Sequence, residues 1–397
     1  MNTRKPSWFV FIIALGLFSV INTEFGVIGT FPHITEKYNI SVSQAGMLVS
    51  LFALTIAVFG PFVTLVLSKY NRKYMMSVVL GVFAAANLAS AFAPTFSALL
   101  LFRIIPAFFH PVYFSLAFVS AASFYASDQA MKSAAKVFTG GTVGIVIGVP
   151  ITSFLADHYS LGAAFLFSAL VNIIALIGFL LWIPNMPAGQ QASYGSQLKV
   201  LAKPRLWLHI ATIILTLAAM FSVFSYFSEY MTAVTKMNSQ WISIMLIVFG
   251  ASGVIGNLQA GRLLSKNRVW TAAAFPLALA FIYLLLYVSG ESVLPMVLLI
   301  VLWGVVHTGG FIISQAWLTM ETTEAPEFGT SLFVSFSNLG ISLGTAAGGW
   351  FITRWGTHQI AWSGILFLAA SLALILLKVT LDKRQSRPAA KPSTPAA

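Results

Sequence analysis

Twelve stretches of this sequence are long and apolar enough to cross a bilayer, and that one feature limits the fold more tightly than any motif in it. A spanning helix needs about 20 mostly apolar residues. The stretches are Trp8–Thr30, Ala45–Leu67, Met75–Phe92, Ala98–Ala122, Ala134–Ala156, Ala163–Ile183, Leu206–Ser228, Gln240–Gly261, Trp270–Ser289, Val293–Gln315, Thr330–Ile352 and Ala361–Leu377. In lipid every backbone polar group must be satisfied within the segment, so stretches of this length are helices. The first has the position of a secretory signal, but it is too long for one, holds Glu24 and precedes no A-x-A site, so it is expected to remain. Composition agrees: 8% of the residues are charged and 58% are hydrophobic, against about 25% charge in soluble domains. The expectation is an all-α membrane protein of twelve transmembrane helices.

The basic residues orient it. With a cytoplasmic N-terminus, eighteen of the 22 Lys and Arg residues fall in loops and tails on the cytoplasmic side. Three (Lys37, Lys236 and Arg354) fall on the other side, and Arg103 lies within a span. The positive-inside rule requires that asymmetry, and one misplaced span would destroy it. Both termini are therefore expected in the cytoplasm. The net charge of +12 reads as attraction to anionic lipid on that face and not to nucleic acid. The chain has no cysteine, which removes disulfides, thiolate zinc sites and cysteine nucleophiles.

The halves repeat at an offset of about 196 residues. Ser68-Lys69 matches Ser265-Lys266, Gly144 and Gly148 match Gly340 and Gly344, and His110 matches His307 within one position. Residues 1–183 then form one six-helix bundle and 206–378 another, joined by a cytoplasmic linker at 184–205 and followed by a disordered basic tail at 379–397. Pseudo-symmetric bundles place a site between them near the midplane. Gly144, Gly148 and Pro150 in span 5, and Gly340, Gly344 and Gly348 in span 11, form smooth stripes. Such stripes serve close packing or a surface on which the halves rock.

Charge within lipid is expensive and marks function. Glu229 lies at the outer end of span 7, whereas Glu24 and Arg103 are deeper, both roughly 8–9 Å below the outer boundary at about 1.5 Å per residue. They meet if spans 1 and 4 are neighbours, either as a static ion pair or as a proton carrier and the cation that tunes it. His110 and His307 come out roughly 18–21 Å deep, near mid-membrane. Two histidines without a third ligand make a poor metal site, so no metal or other cofactor is expected. Asn22, Tyr113, Tyr226 and Phe311 are further candidates for a cavity lining.

The chain resembles the major facilitator superfamily over nearly its whole length, and within it the twelve-span drug:proton antiporters, near bacterial arabinose- and sugar-efflux permeases. The resemblance rests on Thr23-Glu24-Phe25 and Gly29, Arg103 with His110, the Gly144…Gly148-Val149-Pro150 run, Glu324-Ala325-Pro326, and Asn338-Leu339-Gly340 through Gly348-Gly349. It implies alternating access, a monomer in a bacterial inner membrane, and spans 1, 4, 7 and 10 around a cavity faced by Glu24, Arg103, His110 and His307. The cytoplasmic loop motif falls on Ser68, Lys69, Arg72 and Lys73, with Ser68 where an acidic residue is usual and with Thr64 and Asn71 in place of glycines. The reading that follows is secondary export of a drug, sugar or metabolite against protons. Proton-coupled uptake is the alternative on the same fold. A membrane enzyme would need a nucleophile, base and orienting group, which the spans lack, and a sensor would be expected to carry a further soluble domain.

Overall fold

The computed structural model describes residues 8–67, 69–123, 136–137, 139–186, 199–324 and 326–385. Among them are only helices and short connections. Eleven spans meet the apolar criterion for crossing a membrane. The twelfth, Pro326–Trp355, is a 30-residue helix diluted by glycine, serine and threonine. Large apolar side chains such as Phe11, Phe62, Leu181 and Leu294 point outward with most of their surface exposed, as an apolar solvent requires.

Three spans are broken, and proline or glycine explains two of the breaks. Span 1 runs as an α-helix over Trp8–Phe25, tightens to a 3-10 turn over Gly26–Thr30 and resumes over Phe31–Tyr38. It therefore ends eight residues beyond Thr30, where hydropathy alone ends it. Span 4 comprises Phe96–Ala107 and His110–Ser123. Pro111 has no N–H for the Ala107 carbonyl, and short bonds from Phe109 N to Pro106 O (3.0 Å) and from Val112 N to Phe109 O (3.1 Å) close the gap. Span 7 pauses between Pro204–Phe224 and Phe227–Ala233. Span 5 holds a π-turn over Gly144–Gly148, immediately before Pro150, which cannot donate to Val146 O.

The six N-terminal spans pack together, as do the six C-terminal ones. The glycine stripes act inside each bundle. A Cβ on Gly144 would fall 2.9 Å from Phe18 O of span 1, and one on Gly340 2.6 Å from Ile214 O of span 7. Gly148 sits against Asn22, Gly344 against Ala218 O and Gly348 against Ser222 O, so spans 1 and 5, and 7 and 11, touch backbone to backbone. The expectation of a sliding surface between the halves is thereby corrected: the stripes fasten neighbours within a half.

The halves meet at the end of the molecule opposite the Lys- and Arg-rich loops. Span 2 packs along span 11, and span 5 against span 8. Ser243 Oγ donates to Ser153 Oγ at 3.2 Å, and the Phe31 and Tyr226 rings lie 5.7 Å apart. At the basic end the linker folds back: Arg72 N bonds Met186 O at 2.9 Å, and Asn71 bonds Asn185. Lys73 Nζ donates to Leu180 O (3.0 Å) at the C-terminus of span 6, where a cation opposes the helix dipole. Lys69 and Arg72 flank this contact, and Ser68 lies outside the described residues. The last helix runs to Gln385, so Lys378, expected at the edge of a disordered tail, is instead buried beside Asp382 (2.8 Å).

Candidate functional site

Closure at one end and separation at the other leave a cavity of about 130 Å³ between the bundles. Gly141 and Gln315 line it toward the basic end, and Glu24 and Phe25 line its closed end. Its wall is mainly aliphatic and aromatic, with Ile21, Phe114, Phe311 and Phe333 prominent.

Glu24 is the acidic group among the described lining residues, and its partner is His110. The carboxylate Oε2 lies 3.0 Å from His110 Nε2, with the side chains 5% and 3% exposed. The pair stands at ion-pair distance without hydrogen-bond alignment, and His110 Nδ1 has no hydrogen-bond partner among the described residues. Phe52, Phe83 and Phe114 surround the imidazole with ring centroids 6.1, 6.4 and 6.1 Å away. An acid and a base buried among aromatic rings interact more strongly than in water.

Arg103 does not pair with the Glu24 carboxylate. Its guanidinium donates to the backbone carbonyls of Thr23 (2.9 Å), Glu24 (3.0 Å) and Leu48 (3.4 Å), over the Phe52 ring at 5.3 Å. The reason lies in span 1. Where i−4 pairing gives way to 3-10 pairing, carbonyls at the junction lose their helical donors, and a buried forked cation supplies replacements. Arg103 is thus a clamp on the break that presents Glu24. Arg103→Lys is expected to lose about 2–4 kcal/mol of stability, since one ammonium cannot serve three diverging carbonyls. Thermal unfolding of the purified protein measures this. An unchanged unfolding temperature would show that the clamp is not needed.

The other expected residues divide. His110 and Phe311 line the cavity, whereas Asn22, Tyr113, Tyr226 and His307 do not. Asn22 donates to Ser168 Oγ (3.0 Å) and accepts from Thr152 Oγ1 (3.2 Å), tying span 1 to spans 5 and 6. Tyr113 donates to Ile13 O (3.0 Å) and Tyr226 to Thr345 O (2.8 Å), each across a close intra-bundle approach. His307 sits in a box of Phe221, Phe224, Phe249 and Trp303, with centroids 4.8 to 6.2 Å away. The repeat that pairs His110 with His307 in sequence therefore pairs a cavity residue with a packing residue. Thr142, Asn257, Gln315 and Ser337 line the cavity without having been singled out. The signal for Gln315 was available: it follows Phe311 by four residues, on the same helix face.

A family model for the Major Facilitator Superfamily matches residues 13–326. This chain belongs to the major facilitator superfamily. It is 28% identical over 381 residues to the inner membrane transport protein YdhP of Escherichia coli K12, covering 96% of this chain and 97% of that one. An uncharacterized MFS-type transporter of Bacillus subtilis, YtbD, is 27% identical over 382 residues, or 95% and 96% of the two chains. In fold it is similar to a bacterial homolog of the human lysosomal transporter Spinster, solved inward-facing and unoccupied (TM-score 0.76, 15% identity, 97% of this chain and 100% of that one). The twelve-helix, two-bundle architecture and a role in membrane transport, not catalysis, follow from this membership.

Proposed function

We propose that this transporter exports a small organic solute in exchange for protons, with both termini in the cytoplasm of a bacterial cell and its cavity loading from that side. The observation that carries the reading is Glu24, a buried carboxyl at the closed end of the cavity, 3.0 Å from a base, His110. A proton on Glu24 cancels its attraction for His110, and a substrate in the cavity competes for the same carboxyl. Proton and solute then exclude each other at one place, which is what exchange requires. The cavity opens toward the basic loops, and the positive-inside rule makes that end cytoplasmic. The E. coli relative is named as an inner membrane protein, which favours the same membrane here. Anionic headgroups on the cytoplasmic side, protons and the solute complete the set of partners, and a monomer is sufficient, since both halves lie in one chain.

The test uses inside-out vesicles with an acidified lumen and a pH-sensitive dye, adding drugs, sugars and nucleosides one at a time. Export by antiport predicts solute-dependent proton release. Proton movement in the same direction as the solute would make the protein an uptake symporter. Solute flux without proton movement would overturn coupling altogether.

A further inference from the structure

The wall facing Glu24 carries polar atoms without partners. Ser337 and Asn338 on span 11 are 4% and 6% exposed, and Asn257 on span 8 faces the same cavity. Ser337 Oγ, Asn338 Oδ1 and Asn257 Oδ1 have no hydrogen-bond partner among the described residues. The orientation of Asn338 follows from its hydrogen bond: Nδ2 donates to Val334 O at 2.9 Å, which leaves the carbonyl oxygen without a partner among the described residues. Burying such atoms unpaired costs stability, so their retention on a cavity wall points to a ligand that pairs them.

We infer that Asn257, Ser337 and Asn338 form a second polar subsite that accepts N–H donors from a lipophilic amine lodged between it and Glu24. This deepens the export reading and rests on it for transport, though not for binding. The poles of the cavity are unlike in charge but alike in hydrogen bonding: a carboxyl on one side and two amide carbonyls on the other all accept. No lysine or arginine is among the described lining residues, and Arg103 is spent on backbone carbonyls. A carboxylate ligand would face Glu24 with no lysine or arginine among the described lining residues to offset it. A free sugar would lay most of its hydroxyls against Phe114, Phe311 and Phe333. An aromatic or alkyl body with a protonated amine satisfies both the apolar wall and the acceptors. The requirement is for donors and not for charge alone, so methylating the nitrogen fully should abolish the advantage.

The experiment measures binding of benzyl(octyl)amine and of its quaternary analogue, benzyldimethyloctylammonium, to the purified full-length protein by calorimetry. The wild type is expected to bind the amine roughly tenfold more tightly, the worth of about two hydrogen bonds. Asn338→Leu and Asn257→Leu should each bring that preference to within about threefold, by weakening binding of the amine more than binding of the quaternary probe. Asn257→Leu should keep or raise the unfolding temperature, because an unpartnered polar atom is removed, whereas Asn338→Leu also gives up the bond to Val334 O. Asn257, which makes no hydrogen bond through Oδ1, is the variant least able to disturb folding. Equal binding of the two probes, binding of neither, or a preference that survives both substitutions would overturn the subsite. Amine binding that never drives proton movement would leave the subsite standing and defeat the export reading. Proton-coupled transport indifferent to methylation would do the reverse.

Discussion

Glu24→Gln protein is expected to reach the membrane in wild-type amounts, to exchange solute across it, and to build no solute gradient from a proton gradient. Glutamine keeps the size of the side chain and still has an amide to set against His110 Nε2, now 3.0 Å from the carboxylate, so the fold has little reason to suffer. What it loses is the ability to bind and release a proton. For one-to-one exchange, an imposed difference of about two pH units supports a solute gradient of about a hundredfold, because each unit is worth 1.36 kcal/mol and thus a factor of ten. The variant should hold that ratio at about one while solute-for-solute exchange, which needs no proton, continues. Flux of a labelled solute in vesicles, with and without the pH difference, separates the two. A variant that still accumulates solute would return Glu24 to a purely structural role and move coupling to another group.

Much of the architecture was legible because lipid imposes simple rules. Eleven of the spans follow from length and apolarity, and the other, Pro326–Trp355, diluted by glycine, serine and threonine, follows from its length. The glycines of spans 5 and 11 announced close packing, but a stripe does not say which neighbour it faces, and the answer was span 1 and span 7. The site was harder to read because helix breaks are nearly silent in hydropathy. With span 1 ending at Thr30, Glu24 comes out level with Arg103. In the fold the helix continues through Gly26–Thr30 to Tyr38. Glu24 is then fourteen residues from the end of its span, and His110 is fourteen residues from Phe96, the start of span 4. Both lie at a depth of about 21 Å, and they meet. Arg103, about two turns above, reaches down to the carbonyls of the break and not to the carboxylate. The cavity wall on spans 8 and 11 was invisible for another reason: Asn257 and Ser337 are uncharged, and only the docking of the two bundles shows that they look inward.

Locking the closed end should stop transport without emptying the cavity. Ser153 on span 5 and Ser243 on span 8 belong to different bundles and touch through their hydroxyls at 3.2 Å, away from the basic end. The sequence contains no cysteine, so Ser153→Cys together with Ser243→Cys creates a single thiol pair without further engineering. Side chains this close are compatible with disulfide geometry, which needs Cβ atoms about 3.5–4.5 Å apart. If the bundles must part at this end to release solute, the oxidised protein should transport at background, recover on reduction, and still bind solute from the basic end. The control is a pair inside one bundle: Ser225 and Thr345 lie 2.8 Å apart on spans 7 and 11, and a bridge there should leave transport near wild type. The contrast matters more than either result alone, because oxidation as such is the same in both. A rocking movement of two rigid bundles, the form of alternating access their pseudo-symmetry favours, is stopped by a bond between them and indifferent to one within. Transport by the oxidised Ser153–Ser243 pair at the reduced rate would mean that solute leaves by some path that does not separate spans 5 and 8. Equal inhibition by both bridges would mean that the bundles themselves deform during the cycle, which the tight backbone contacts along the glycine stripes argue against.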